Sequence, residues 1–280
     1  MNTEEQILEG FLGDLNENRL ILPTLPEVAL RVRDAVENEG ATIGEITRVI
    51  SSDAAISARL LQVCNSPLYR TRSPIEDLQT AISRLGDTQV KNLVSSLVMQ
   101  QMFQATSDVL DKKMRRTWEH STTVASISYV LSAATKLSSD QAMLAGLIHD
   151  IGTLPIIVHA EDIPELRNDP VLLDKIISKL HPIIGEKILR DWGFPQAMVD
   201  VAAQHENLVR DPGTDDYDMV DIVIVANLHS LIGDEHDHDH ADLDWKTVPA
   251  FKRLGIEPEI NIVDIEENKE SLEEIQAILS

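Results

Sequence analysis

Apolar positions in this chain recur every three or four residues, the spacing of a helix face. In PEVALRVRDAVEN, Val28, Val32, Ala35 and Val36 share one face of a helix opened by Pro26. Thr42 and Glu45 have capping-box spacing ahead of Ile46, Val49 and Ile50. Asp53 is placed to cap AAISARLLQVCN, where Ile56, Leu60 and Val63 are in register. Ser73, Pro74 and Glu76 predict a further capping box opening SPIEDLQTAISRL, with Gly86 at its end. Asp87 starts TQVKNLVSSLVMQQMF.

From about Val109 the predicted helices lengthen. MRRTWEHSTTVASISYVLSAA and SDQAMLAGLIHDIG are the first two, and Gly152 and Pro155 mark the end of the second. Asp169-Pro170 opens VLLDKIISKL, His181-Pro182 opens a separate HPIIGEKILRDWG, and Pro195 opens PQAMVDVAAQHEN. NLVRDPGTDDYD reads as a loop by its Pro, Gly and Asp content. MVDIVIVANLHSLIG and the closing ESLEEIQAILS read as helices. No stretch sustains period-2 alternation, so no sheet is predicted. The expected fold is all-α, in two helical lobes spanning residues 1–107 and 108–280.

Composition agrees. Hydrophobic residues make up 43% and aromatics only 4%, so the core is aliphatic. The single cysteine, Cys64, lies in apolar LLQVCNS; it reads as a small buried hydrophobe and excludes an internal disulfide. The acidic N-terminus resembles no leader, and no apolar run approaches a membrane span. These features predict a cytoplasmic protein with no membrane contact. A net charge of −23 repels phosphate backbones, which argues against a nucleic-acid partner and for protein partners. The basic cluster Lys112, Lys113, Arg115 and Arg116 reads as a solvated helix face.

Within AGLIHDIGTLPII, His149 and Asp150 sit side by side in an apolar run. Burying them requires partners, whether a metal ion or a hydrogen-bond network. Of nine histidines, His236, His238 and His240 belong to the acidic tract DEHDHDHADLD, where nothing orders them as ligands. His159 and His229 stand apart as core or boundary residues. His120, His149, His181 and His205 each fall on or at the start of a different predicted helix. Facing helices are a common way to assemble a metal site. With Asp150 as a bridging carboxylate, the donor set suits a divalent iron, manganese, zinc or nickel ion and attack on phosphorus.

The runs LPTLPEVALRVRDAV, ISSDAAISARLLQVCNSPLYR and IEDLQTAISRLGDTQVKNLV, in that order, resemble the HDOD (HD-related output domain) module of bacterial signalling. The resemblance spans roughly residues 17 to 232. WEHS, GLIHDIG, HPIIGEKIL and QHE further resemble the HD superfamily of metal-dependent phosphohydrolases, especially the HD-GYP phosphodiesterases. The resemblance implies that the C-terminal lobe is an HD-like helical bundle. It implies metal-ligand roles for His120, His149, Asp150, His181 and His205. It also implies departures. Gln204 stands where HD-GYP enzymes have a His before the His205-Glu206 pair, and Thr153 where they have a Lys. Asn227 replaces a late Asp ligand, Arg116 occupies an upstream acidic position, and no Gly-Tyr-Pro follows. These changes remove negative charge, leaving a mononuclear site of His120, His149 and Asp150, completed by Asn227 or water, as the expectation. The function expected is signal transduction through protein partners. The alternatives are a metal-dependent phosphohydrolase and a sensor of a nucleotide or phosphate ligand.

Overall fold

The computed structural model describes residues 3–38, 42–69, 74–103, 108–232, 243–258, 260, 262 and 266–279. Among them there are helices and connecting turns but no strand, so the fold is all-α. The first helices are α1 (Thr3–Asn16), α2 (Glu27–Glu37), α3 (Ile43–Ser51), α4 (Ala54–Cys64), α5 (Leu78–Leu85) and α6 (Asp87–Met99). Then come α7 (Asp108–Ser132), α8 (Ser139–Ile148), α9 (Thr153–Ala160), α10 (Pro164–Asn168) and α11 (Pro170–Asp191). The chain closes with α12 (Gln196–Gln204), α13 (Met219–Ser230), α14 (Pro249–Leu254) and α15 (Glu266–Leu279).

Helix caps sit where short-range chemistry places them. Thr42 and Glu45 form both arms of their capping box, and the Asp53 side chain accepts from the amides of Ala55 and Ile56. Gly86, at φ 80°, lets the chain leave α5 and enter α6 without a break. α2 packs on α3 and α6, and α4 on α5 and α6. In the later part α7 packs on α8, α13 and α15, while α11 packs on α9 and α12. α6 meets α8, and α1 lies on α11, so one aliphatic core runs from Phe11 to Leu279. Cys64 is buried within it, and burial pushes its thiol up to about 11.

Several expectations are corrected. α5 starts at Leu78 with Asp77 as its cap, not at Ser73, which lies outside the described residues. Asp77 accepts from the Thr80 amide, and this nearer cap sets the start. The acidic N-terminus, for which the sequence pattern names no element, is helical and buries Phe11 and Leu15. The chain does turn at Gly152, but α9 restarts at once, with Pro155 in its first turn, where its missing N–H is harmless. The two helices expected on either side of His181-Pro182 are one, α11. A mid-helix proline costs about 3 kcal/mol. Here Ile176, Leu180, Ile184 and Ile188 are buried on both sides of it, and that face outweighs the lost hydrogen bond. The carbonyl that Pro182 leaves unpaired belongs to Ser178, an exposed position.

One apolar stretch, Ser139–Ala160, does reach the length and hydropathy of a membrane span. Its apolar 18-residue window is 83% buried inside the protein, and the stretch is broken at 149–152 into α8 and α9. The basic cluster is solvated as expected, with Lys112, Arg115 and Arg116 exposed and Lys113 paired to Asp174.

His229 packs against Trp245 and Phe251, and neither ring nitrogen has a hydrogen-bond partner among the described residues. Burial lowers its pKa to about 4. The unfolded chain takes up this proton near pH 6.5 and the folded chain resists it. Stability from this residue is therefore complete above about pH 6.5 and is lost as pH falls toward 4. Urea melts at pH 7.5 and 4.5 should show that His229→Phe reduces the acid loss by on the order of 2 kcal/mol.

Candidate metal centre

α8 ends at Ile148, and His149 and Asp150 follow in the turn to α9. That turn can form because Gly152 has no side chain. A Cβ there would lie 2.0 Å from the His181 carbonyl oxygen and 2.6 Å from the Gly185 amide nitrogen. Gly146, within α8, lets that helix press on α7, since a Cβ would lie 2.8 Å from the Ala125 Cα. These two contacts bring the end of α8 against α7 and α11.

Four imidazoles meet there, each held by its Nδ1. His149 Nδ1 donates to the Gly146 carbonyl at 2.7 Å, and His181 Nδ1 to the Ile177 carbonyl at 2.8 Å. His205 Nδ1 donates to the Val201 and Ala202 carbonyls at 3.0 and 3.1 Å. His120 Nδ1 faces Ser230 Oγ at 3.4 Å, while that hydroxyl donates to the Asn227 carbonyl at 2.7 Å. With every Nδ1 acting as donor, a neutral ring presents a lone pair at Nε2.

The four Nε2 atoms surround one carboxylate. Asp150 Oδ1 lies 3.5 Å from His149 Nε2, 3.3 Å from His181 Nε2 and 3.2 Å from His205 Nε2. Asp150 Oδ2 lies 3.8 Å from His120 Nε2. The rings pair at 3.3 Å (His120–His149) and 3.0 Å (His181–His205), Nε2 to Nε2. Glu206 Oε1 stands 3.5 Å from His205 Nε2 and 3.8 Å from His181 Nε2. The cluster thus has two halves that share Asp150. One holds His120, His149 and Asp150; the other holds Asp150, His181 and His205, with Glu206 at its edge.

Burial lowers the pKa of His149 to about 3 and also lowers that of His181, so both rings stay neutral. For His205, burial also works downward, but its bond to the Asp150 carboxylate wins and the pKa is raised. Burial would raise Asp150, yet the surrounding histidines hold it well below the usual carboxylate range. The residues fit a metal by spacing. An ion with ligands at about 2.1 Å holds neighbouring ligand atoms roughly 3.0–3.4 Å apart. The observed separations of 3.0–3.8 Å lie at or just above that range. Most of them are long for charged hydrogen bonds, which contract to about 2.7–2.9 Å.

Other predicted site residues stand differently. The Asn227 amide oxygen is buried and has no hydrogen-bond partner among the described residues, an acceptor able to ligate. Gln204 is occupied, because Arg210 Nε donates to its Oε1 at 2.7 Å. Arg116 is exposed, one turn before His120. Thr153 is buried, and its amide donates to the Asp150 carbonyl at 2.9 Å. The tract with His236, His238 and His240 lies outside the described residues. His159 is elsewhere, edge-on to Phe11 and 3.8 Å from Asp14. Sequence reasoning missed Ser230, although its i+3 spacing from Asn227 puts both on one face of α13.

A family model for the HDOD domain matches residues 22–208, two thirds of the chain. The chain belongs to the HDOD family. The HDOD match ends before α13, so Asn227 and Ser230 lie beyond it. A crystal structure of a candidate metal-dependent phosphohydrolase from Shewanella amazonensis SB2B is 29% identical, with TM-score 0.85 and full coverage of both chains. An HDOD domain protein of unknown function from Geobacter sulfurreducens is 20% identical, with TM-score 0.69 and coverage of 99% of this chain and 97% of its own, a likeness of fold. An uncharacterized protein of Treponema pallidum (strain Nichols) is 27% identical over 205 residues. That alignment takes in 68% of this chain and only 39% of the relative's length.

Gly152→Ala should destabilise this HDOD chain by at least about 1–3 kcal/mol, because backbone and not a flexible side chain fills the space. Urea denaturation measures the loss. Gly213→Ala, in an exposed loop with open space but positive φ, should cost less.

Proposed function

We propose that this HDOD chain is a signal-transduction module that acts through protein partners and holds a divalent metal at the Asp150 cluster. The observation that carries the metal reading is the convergence of four imidazole Nε2 atoms on one carboxylate. His120, His149 and Asp150 would hold the first ion, with Asn227 as a further oxygen donor. Asp150, His181, His205 and Glu206 offer a second position, which the sequence alone disfavoured. A bound divalent ion supplies Lewis acidity toward a phosphoryl group. The protein's own residues hold the ligand rings by backbone carbonyls and keep His149 and His181 unprotonated. Support for protein partners comes from the net charge of −23 and from HDOD membership.

A second reading is a metal-dependent phosphohydrolase, the class named for the Shewanella relative. Partial exposure of His120, Asp150 and Glu206 favours it, since solvent reaches the cluster. Against it, Thr153 stands where the resembled enzymes have a Lys, and Gln204 is held by Arg210. A nucleotide or phosphate sensor would use the same metal without turnover.

Elemental analysis of untagged protein should find metal in the wild type and none in Asp150→Ala, because Asp150 serves both halves. His205→Ala should keep the ion of the first half. Deleting residues 233–242 should leave metal content unchanged; loss of the metal on that deletion alone would move the site to the acidic tract. Hydrolysis of cyclic dinucleotides should stay below about one turnover per second, the low end of ordinary enzymes. Faster turnover would establish the phosphohydrolase reading instead.

A further inference from the structure

Three of the four imidazoles in the cluster are fixed by backbone. The Nδ1 protons of His149, His181 and His205 go to carbonyls three or four residues back in the chain, and a carbonyl can only accept. His120 differs. The group facing its Nδ1 is a side chain from another helix, Ser230 Oγ of α13, at 3.4 Å. That contact is the longest of the four, and the His120 side chain is the most exposed of the four rings, at 25%.

The direction of the contact is set by proton count. A hydroxyl has one proton to give. Ser230 gives it to the Asn227 carbonyl at 2.7 Å, a back-bond within α13. Toward His120 the Ser230 oxygen therefore accepts, and Nδ1 carries the proton. The other tautomer has an acceptor ready: a proton on His120 Nε2 would point at His149 Nε2, 3.3 Å away. In that state the lone pair a metal needs is gone. The helix that carries Ser230 is anchored in turn. Asp218 and Asp221 form a capping box at its start, and Arg253 of α14 pairs with Asp221 at 2.6 Å. Both helices follow residue 208, where the HDOD match ends.

We propose that Ser230 is a positioning residue for the first ion. Its hydroxyl fixes His120 with Nε2 free, so α13, outside the HDOD match, sets the affinity of that position and leaves the second unaffected. The inference rests on the metal reading of the cluster. Groups that orient a ligating histidine in this way are worth about 10–100-fold in metal affinity.

The test compares two substitutions of one shape, Ser230→Thr, which keeps the hydroxyl, and Ser230→Val, which does not. Each is made in the full chain together with His205→Ala, so that the first position alone is expected to bind. After metal is stripped, the proteins are titrated with Mn²⁺ and followed by electron paramagnetic resonance. Ser230→Val should weaken Mn²⁺ by at least about tenfold, and Ser230→Thr should stay within about threefold of the parent. If Ser230→Val does not fold, Ser230→Ala takes its place with the same expectation. In the metal-free protein at pH 8.5, where an ordinary imidazole is neutral, nitrogen NMR reports the tautomer directly. His120 should be protonated at Nδ1 in the wild type and in Ser230→Thr, and at Nε2 in Ser230→Val, with His149 protonated at Nδ1 throughout. Equal Mn²⁺ affinity in the Thr and Val forms overturns the proposal. If neither the wild type nor His205→Ala binds Mn²⁺, the metal reading falls. The tautomer then decides the positioning role, and a His120 Nδ1 proton that persists in Ser230→Val overturns it.

Discussion

An ionised carboxylate beside a hydrophobic core is the constraint that orders the C-terminal half of this protein. Asp150 stays well below the usual carboxylate range even though burial opposes it, and His205, whose own pKa Asp150 raises, is the ring that answers its charge. Each ring has to reach it with Nε2, so each needs its Nδ1 proton taken elsewhere. Three take it to carbonyls three or four residues back on their own helices. The helices must then converge at their ends, and the close approaches at Gly146 and Gly152 permit that. Ring tautomer and helix packing are one requirement here.

A second polar network supports the first from behind. Asp221 is fully buried and receives Arg253 at 2.6 and 2.9 Å and Arg210 at 3.4 Å. Arg210 also pairs with Asp218 and donates to Gln204. The start of α13, the loop after α12 and α14 are thereby tied together beside His205. The same ties engage the Gln204 amide oxygen, which accepts from Arg210. Farther away, Asp140 at the start of α8 accepts from Tyr69 at 2.7 Å and from Gln89 at 2.6 Å, linking α8 to α6 and to the turn after α4.

Helix identity was legible in the sequence because capping and amphipathic spacing are local. Thr42, Asp53, Gly86 and Asp169 act where their neighbours alone require it. The ligand types were legible too, since His149-Asp150 in an apolar run demands partners wherever it folds. Local rules failed where burial outweighed them. Pro182 predicted a break, yet the buried face of α11 runs through it. Pro155 read as part of a helix end, yet it sits in the first turn of the next. Which histidines face Asp150, and that Asp150 is shared by two halves, depend on distances between helices far apart in the chain. The amino-acid sequence determined which groups could bind, because that is a property of each residue and its near neighbours. Only the tertiary structure decided which of them meet, because convergence follows from how whole helix faces pack.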